Sequence, residues 1–167
     1  MLIVAERINT SRKVKGEPVI EQAVVSRNAD FIKDLAKKQF EAGATYIDIN
    51  CGTLTSGEPE ALEWLTQVVM EAVDAPISFD TPNPTALEKA LKAYDPAKGQ
   101  PLINSITAES ERYAKILPFV LDYKAKVIAL AMDDTGIQQE AEKRHAVARK
   151  LIADLTAAGV PLGDIYI

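Results

Sequence analysis

Short runs of apolar, mostly β-branched residues recur along the chain, each followed by a longer stretch in which apolar side chains return every three or four positions. The first pattern is that of a buried strand and the second that of an amphipathic helix, so their alternation predicts parallel βα repeats. Strands are expected at residues 2–5, 46–49, 77–79, 102–106, 127–131 and 165–167.

Between the predicted strands, Ile32, Leu35, Ala36 and Phe40 share one helical face, and Gly43 supplies a left-handed stop. Pro59 opens a second helix, with Leu62, Leu65, Val69 and Val73 facing inward and Glu60, Glu63 and Glu71 facing water. Pro84 opens a third, with Leu87, Ala90, Leu91 and Tyr94 inward. A fourth carries Tyr113, Ile116, Leu117, Val120 and Leu121, and Pro118 predicts a kink or a break there because its ring removes one helical hydrogen bond. The fifth runs from about Gln138 to Ala158 and ends at Gly159.

Repeats of this kind fit either a (β/α)8 barrel or an open doubly wound sheet, and the loops favour the barrel. After the first strand the chain reads Glu6-Arg7-Ile8-Asn9, with neither a G-x-G-x-x-G turn nor a P-loop. Polar groups recur instead at the strand ends: Glu6 and Asn9, Asp48 and Asn50, Asp80 and Asn83, Asn104 and Ser105. A parallel barrel gathers those ends at one mouth, where rigid strands fix geometry and loops vary. Carboxylates with carboxamides suit a flat heterocycle whose edge offers both donors and acceptors. Helix capping competes as an explanation, since Asn28, Thr81 and Asn83 stand where caps are expected. Asp80 and Asn104 follow their apolar runs directly, so capping accounts for them least well and they are the foremost candidates.

Composition narrows the chemistry. With 167 residues, 47% of them hydrophobic, the chain is read as one domain over residues 1–167. A net charge of -5 with dispersed Lys and Arg gives no footprint for nucleic acid. The apolar opening ends at Glu6, too soon for a signal peptide or a membrane span, so no membrane partner and a cytoplasmic location are expected. A single cysteine, Cys51, excludes an internal disulfide, and a single histidine, His145, leaves few soft ligands, so no protein-held metal is expected. Cys51 reads as an apolar filler, because no histidine lies nearby in sequence to activate it. His145 reads as solvated on the fifth helix, and Trp64 as helix packing.

Glu-Arg-Ile-Asn at 6–9, Gly-Ala-x-x-x-Asp-x-Asn at 43–50, Phe-Asp-Thr-x-Asn at 79–83 and Ile-Asn-Ser at 103–105 together resemble the pterin-binding methyltransferases. The nearest likeness is to those acting between methyltetrahydrofolate and a corrinoid iron-sulfur protein, and a more distant one is to the folate domain of cobalamin-dependent methionine synthase. Glu63-Trp64-Leu65 and Thr135-Gly136-Ile137 extend the resemblance over the whole chain. It implies a TIM (β/α)8-type barrel. Asp80 would hydrogen-bond the amino group and a ring nitrogen of the pterin, and Asn104 would hold a neighbouring part of the ring. Asn9, Asp48, Asn50, Asn83 and Ser105 would line the same mouth. The resemblance further implies methyltetrahydrofolate as methyl donor, a cobalamin-type corrinoid carried by a partner protein, and a homodimer.

Three departures accompany the likeness. The family's Asp-Pro, and a later Asn expected at N5, would fall beyond Ile167, so no catalytic residue is assigned and the barrel is expected to be incomplete after its sixth strand, with open edges. Asp133-Asp134 replaces amide and basic character, either adding negative charge at the mouth or forming a solvated loop. Finally, dihydropteroate synthase is an alternative, but its Thr-Pro-Asp-Ser-Phe loop and its Gly-Gly before a Ser-Thr pair are unmatched by Asn9-Thr10-Ser11-Arg12 and Cys51-Gly52-Thr53. A folate-binding piece without turnover is the other alternative.

Overall fold

Tyr46–Asn50 reads YIDIN and Ile77–Asp80 reads ISFD, and this alternation dictates the first sheet. In the computed structural model, which describes residues 1–167, β1 (Val4–Asn9), β2 (Tyr46–Asn50) and β3 (Ile77–Asp80) pair in parallel in that order. The register sets Ile47 beside Ile77, Asp48 beside Ser78, and Ile49 beside Phe79. Because strand side chains alternate, Ile47, Ile49, Ile77 and Phe79 share one face, and Asp48, Asn50, Ser78 and Asp80 share the other. The four apolar side chains are completely buried. The Phe79 ring meets Tyr94 edge to face, centroids 5.7 Å apart and planes at 86°.

These strands belong to the first of two compact units, Met1–Pro101 and Leu102–Ile167. Four helices complete the first: α1 (Val19–Val25), α2 (Ala29–Glu41), α3 (Glu58–Ala72) and α4 (Pro84–Ala93). Leu62, Leu65 and Val69 of α3 and Leu87, Ala90 and Leu91 of α4 are buried as predicted, and each fully buried leucine contributes ~1.5–3 kcal/mol of transfer free energy. Gly43 takes φ 93° behind α2, the predicted left-handed stop. Asn28 caps α2 by accepting from the Phe31 amide at 3.1 Å.

Two expectations for this unit are corrected. Phe40 is 41% exposed, and Gln39, 5% exposed, takes the inward place. The cause is a bulge in β1, where the register slips between Ala5 and Ile8 and leaves Glu6 exposed. The Arg7 amide there donates to Gln39 Oε1 at 2.9 Å, a need that phenylalanine has no atom to meet. The helix α1 was not foreseen, because seven residues rich in valine carry too little periodicity to separate helix from strand.

In the second unit, β4 (Leu102–Ala108) is followed by α5 (Ser110–Asp122), β5 (Lys126–Asp133), β6 (Gly136–Ile137), α6 (Ala141–Ala157) and β7 (Ile165–Tyr166). β5 pairs in parallel with β4 and β7, and β6 folds back on it antiparallel where sequence suggested a plain turn. Ile116 and Val120 of α5 and Val147, Leu151 and Leu155 of α6 are the helices' buried residues. Leu121, predicted inward, is 38% exposed. Pro118 does not divide α5: Pro118 and Ala114, whose carbonyl would accept the missing bond, are both exposed, so the loss costs least there.

The strands run further at their carboxyl ends than the apolar runs implied. Asn9, Asn50 and Asp80 become the last residues of β1, β2 and β3. Asn104 and Ser105 lie inside β4 rather than at its end, because Ile106 and Thr107, both completely buried, carry the ladder onward along β5. No helix is long and apolar enough to cross a membrane.

Candidate functional site

Three parallel strands of the first unit end in one polar row. Asn9 stands beside Asn50 in register, and Asp80 follows Phe79, the partner of Ile49. Asn50 Nδ2 donates to Asp80 Oδ2 at 2.7 Å, while Asn50 Oδ1 accepts from the Gly52 amide at 2.8 Å. The second bond fixes which end of the amide faces Asp80. One carboxylate oxygen of Asp80 is thereby held, and no hydrogen bond engages Oδ1 of this half-buried residue. One pair further down the strands, the Ser78 hydroxyl donates to Asp48 Oδ2 at 2.6 Å, with both residues completely buried.

At the other end of the row, Asn9 Oδ1 accepts from the Ser11 amide at 2.9 Å and the Ser11 hydroxyl at 2.6 Å, forming an Asx turn. Thr10, 2% exposed, buries a hydroxyl that has no hydrogen-bond partner. Such an orphan costs ~1–3 kcal/mol. Asn83 is the predicted cap, its Oδ1 accepting from Thr85 and Ala86 at 3.0 and 3.4 Å. Its Nδ2 donates to Glu58 Oε2 at 2.9 Å, and the Thr81 hydroxyl donates to Glu58 Oε1 at 2.6 Å.

The second unit holds the other two predicted residues. Between Asn104 and Ile106 the β4–β5 register slips, leaving Ser105 as a bulge, and the Asn104–Ser105 peptide is cis. Arg112, on the first turn of α5, donates from one guanidinium nitrogen to the Ser105 carbonyl at 3.2 Å and to its hydroxyl at 3.4 Å. The Arg112 Nε is buried without a hydrogen-bond partner.

Asp133 closes β5, and Asp134, exposed in the turn that follows, fits the solvated-loop reading, with both carboxylates held by nearby donors. Asp134 accepts from the Ser110 amide at 3.0 Å and hydroxyl at 2.7 Å, which ties the start of α5 to the end of β5. Asp133 Oδ1 accepts from the Thr135 hydroxyl, the Thr135 amide and Gln138, and shapes the β5–β6 turn. These donors, the Thr135 hydroxyl foremost, hold the Asp133 carboxyl below its ordinary range.

Cys51 follows Asn50 and is completely buried. Burial first, then the negative charge of Glu58, pushes its thiol up to about 12, against an opposing pull from Arg27. The unfolded thiol ionises near 9 and the folded one near 12, so stability falls as pH rises across that window. Cys51 is therefore expected to resist iodoacetamide at pH 8 in the native protein and to react fully in urea. Equal labelling rates in the two states would refute its burial. Trp64 lies beneath Arg27, whose guanidinium carbon is 4.9 Å from the ring centroid, and His145 is exposed on α6.

Sequence reasoning passed over Ser78, Glu58, Thr10 and Arg112. Ser78 was within reach, because the two-residue strand period puts it on the face of Asp80. Glu58 and Arg112 act across loops, and nothing in the local pattern marks them. A groove lined by Ile3, Ala5, Leu35, Gln39, Ala42 and Ala44 between β1 and α2 contains none of the candidate residues.

The chain belongs to the pterin-binding enzyme family, which it matches over residues 8–165. It is 33% identical over 170 positions to the methylcorrinoid:tetrahydrofolate methyltransferase of Eubacterium limosum, an alignment covering 100% of this chain and 59% of that protein. It is 26% identical to the methionine synthases of Mycobacterium leprae and Mycobacterium tuberculosis, covering 94% and 93% of this chain and 13% of each of those proteins. The chain thus spans well under two thirds of the relatives it matches. Among solved structures it is similar to the dihydropteroate synthase of Xanthomonas albilineans in complex with 7,8-dihydropteroate, with a TM-score of 0.66 and 19% identity over 98% of this chain and 58% of that one. The 7,8-dihydropteroate synthase of Vibrio fischeri ES114 gives 0.67 and 17%, over 98% and 59%. At such identities the likeness concerns the fold, which is of the TIM (β/α)8 type, with six parallel strands present here.

Proposed function

We propose that the chain binds the pterin ring of methyltetrahydrofolate and serves transfer of the N5 methyl group to the Co(I) centre of a corrinoid carried by a partner protein. One observation supports this most: Asp80 ends the polar row with one oxygen steadied by Asn50 and the other unengaged. A pterin edge presents an amino group and a ring N–H side by side, and an acceptor-only carboxylate meets both. In this reading Asp80 takes that edge. Asn9 offers its free amide nitrogen, and Thr10 gains a partner for its buried hydroxyl. Asn50 steadies Asp80, while Asp48 and Asn83 shape the surroundings of the row through the bonds they already make.

In the transfer the N5–methyl bond breaks, the cobalt electron pair forms the new cobalt–carbon bond, and N5 takes up a proton. A tertiary amine leaves poorly, so proton or hydrogen-bond donation at N5 lowers the barrier, and fixing the ring for in-line attack contributes up to ~7–11 kcal/mol. The name of the Eubacterium limosum relative implies the reverse direction, and the same pocket serves either sense. Dihydropteroate synthesis is the second reading, favoured by the structural likeness but not by the first two loops.

Calorimetric titration tests the choice. The 167-residue chain is expected to bind 5-methyltetrahydrofolate saturably and to give no heat with 4-aminobenzoate. Binding of 4-aminobenzoate without binding of 5-methyltetrahydrofolate would overturn the proposal in favour of the synthase reading.

A further inference from the structure

Asp80 is gripped through its side chain by Asn50, but a carboxylate is only as well placed as the backbone that carries it. The segment following it, Thr81-Pro82-Asn83, is a loop between β3 and α4, where positional freedom is the default. Here that freedom is removed by one residue of another element. Glu58, in the first turn of α3, accepts from the Thr81 hydroxyl on Oε1 at 2.6 Å and from Asn83 Nδ2 on Oε2 at 2.9 Å. Thr81, only 1% exposed, also accepts from the Asn83 amide at 3.0 Å, which closes a ring of bonds around the loop.

Capping alone does not require this arrangement. Asn83 caps α4 with Oδ1, and a cap would leave Nδ2 to water. Glu58 instead collects the two donors left over after local needs are met, using both oxygens of a group that can only accept. Charge-assisted bonds of this kind are about twice as strong as neutral ones. Both clamped residues lie within three positions of Asp80, and the remaining neighbour, Phe79, is locked in the core.

We infer that Glu58 is a positioning residue for the ligand-binding carboxylate: it sets the β3–α4 loop, and thereby the angle at which Asp80 meets the pterin. This rests on the reading of Asp80 as the pterin contact. The order so gained is entropy that binding need not supply, which raises affinity without any touch between Glu58 and the ligand.

The test uses the 167-residue chain with Glu58→Ala, alone and combined with Asp80→Asn. Hydrogen exchange is measured without ligand over residues 80–86, and 5-methyltetrahydrofolate binding by calorimetry. Exchange over 80–86 is expected to accelerate in Glu58→Ala. Affinity is expected to fall roughly tenfold when Asp80 is present and to change little in the Asp80→Asn background. Glu58→Gln, which keeps one acceptor, is expected to fall between. Unchanged exchange, or equal losses of affinity in both backgrounds, would overturn the inference, the latter because general loosening of the fold does not depend on Asp80. Absence of binding by the wild type would refute the pterin reading of Asp80 and this inference with it. Unchanged exchange in a chain that binds refutes Glu58 alone. If Glu58→Ala does not fold, Thr81→Val, nearly equal in volume, removes the bond to Glu58 together with the one accepted from the Asn83 amide, and is judged by the same outcomes.

Discussion

Asp80→Asn is expected to weaken binding of 5-methyltetrahydrofolate by roughly tenfold to a hundredfold, the worth of a hydrogen bond to a charged group, ~1.5–3 kcal/mol. The argument turns on counting acceptors. Asp80 Oδ2 accepts from Asn50, and Asn50 cannot turn its amide because Gly52 holds the other end. Asparagine has one acceptor oxygen. If it faces Asn50, its NH2 group confronts the donors of the pterin edge; if it faces the pterin, NH2 meets NH2 at Asn50. Either orientation sets donor against donor. Asp80 is half-buried and caps no helix, so the melting temperature should change little. Calorimetry on the two proteins decides the matter, and equal affinities would remove Asp80 from the site.

One residue earlier the consequence is inverted. Phe79→Ala is expected to lower stability by ~3–5 kcal/mol, as for other buried aromatic residues reduced to alanine. Phe79 is completely buried and loses its edge-to-face contact with Tyr94 as well as its volume. For a domain of this size each kcal/mol corresponds to ~2–4 °C, so melting should begin some ~10 °C lower. Urea unfolding of both proteins measures the loss. A cost below ~1 kcal/mol would mean that the pocket around Phe79 collapses freely, contrary to the close packing of such interiors.

Much of the fold was legible because strand and helix periods differ. Six parallel strands fall where β-branched runs occur, and Pro84, Gly43 and Gly159 punctuate as their backbone geometry demands. What escaped was set by needs outside the local pattern. Gln39 displaced Phe40 inward to serve a bulged amide in β1, and a bulge is not written in the residues that form it. Asn104 and Ser105 were placed at a strand end because the apolar run is short, whereas buried Thr107 carries β4 onward. Of the candidate site, the row Asn9, Asn50 and Asp80 was readable, being tied to strand ends that alternation reveals. The roles of Asp133 and Asp134 were not, because they depend on Thr135 and Ser110 arriving in space. Glu58 was invisible for the same reason.

The alternation in β3 has an evolutionary corollary. The proposed ligand contact and a core anchor occupy adjacent letters of the sequence, and their separation into two sides is maintained by phase alone. Inserting or deleting one residue before Ile77 would send the carboxylate among the helices and the aromatic ring into the polar side, so recognition and folding would fail together. Indels in this strand should be purged far more severely than substitutions, while the loops on either side drift in length.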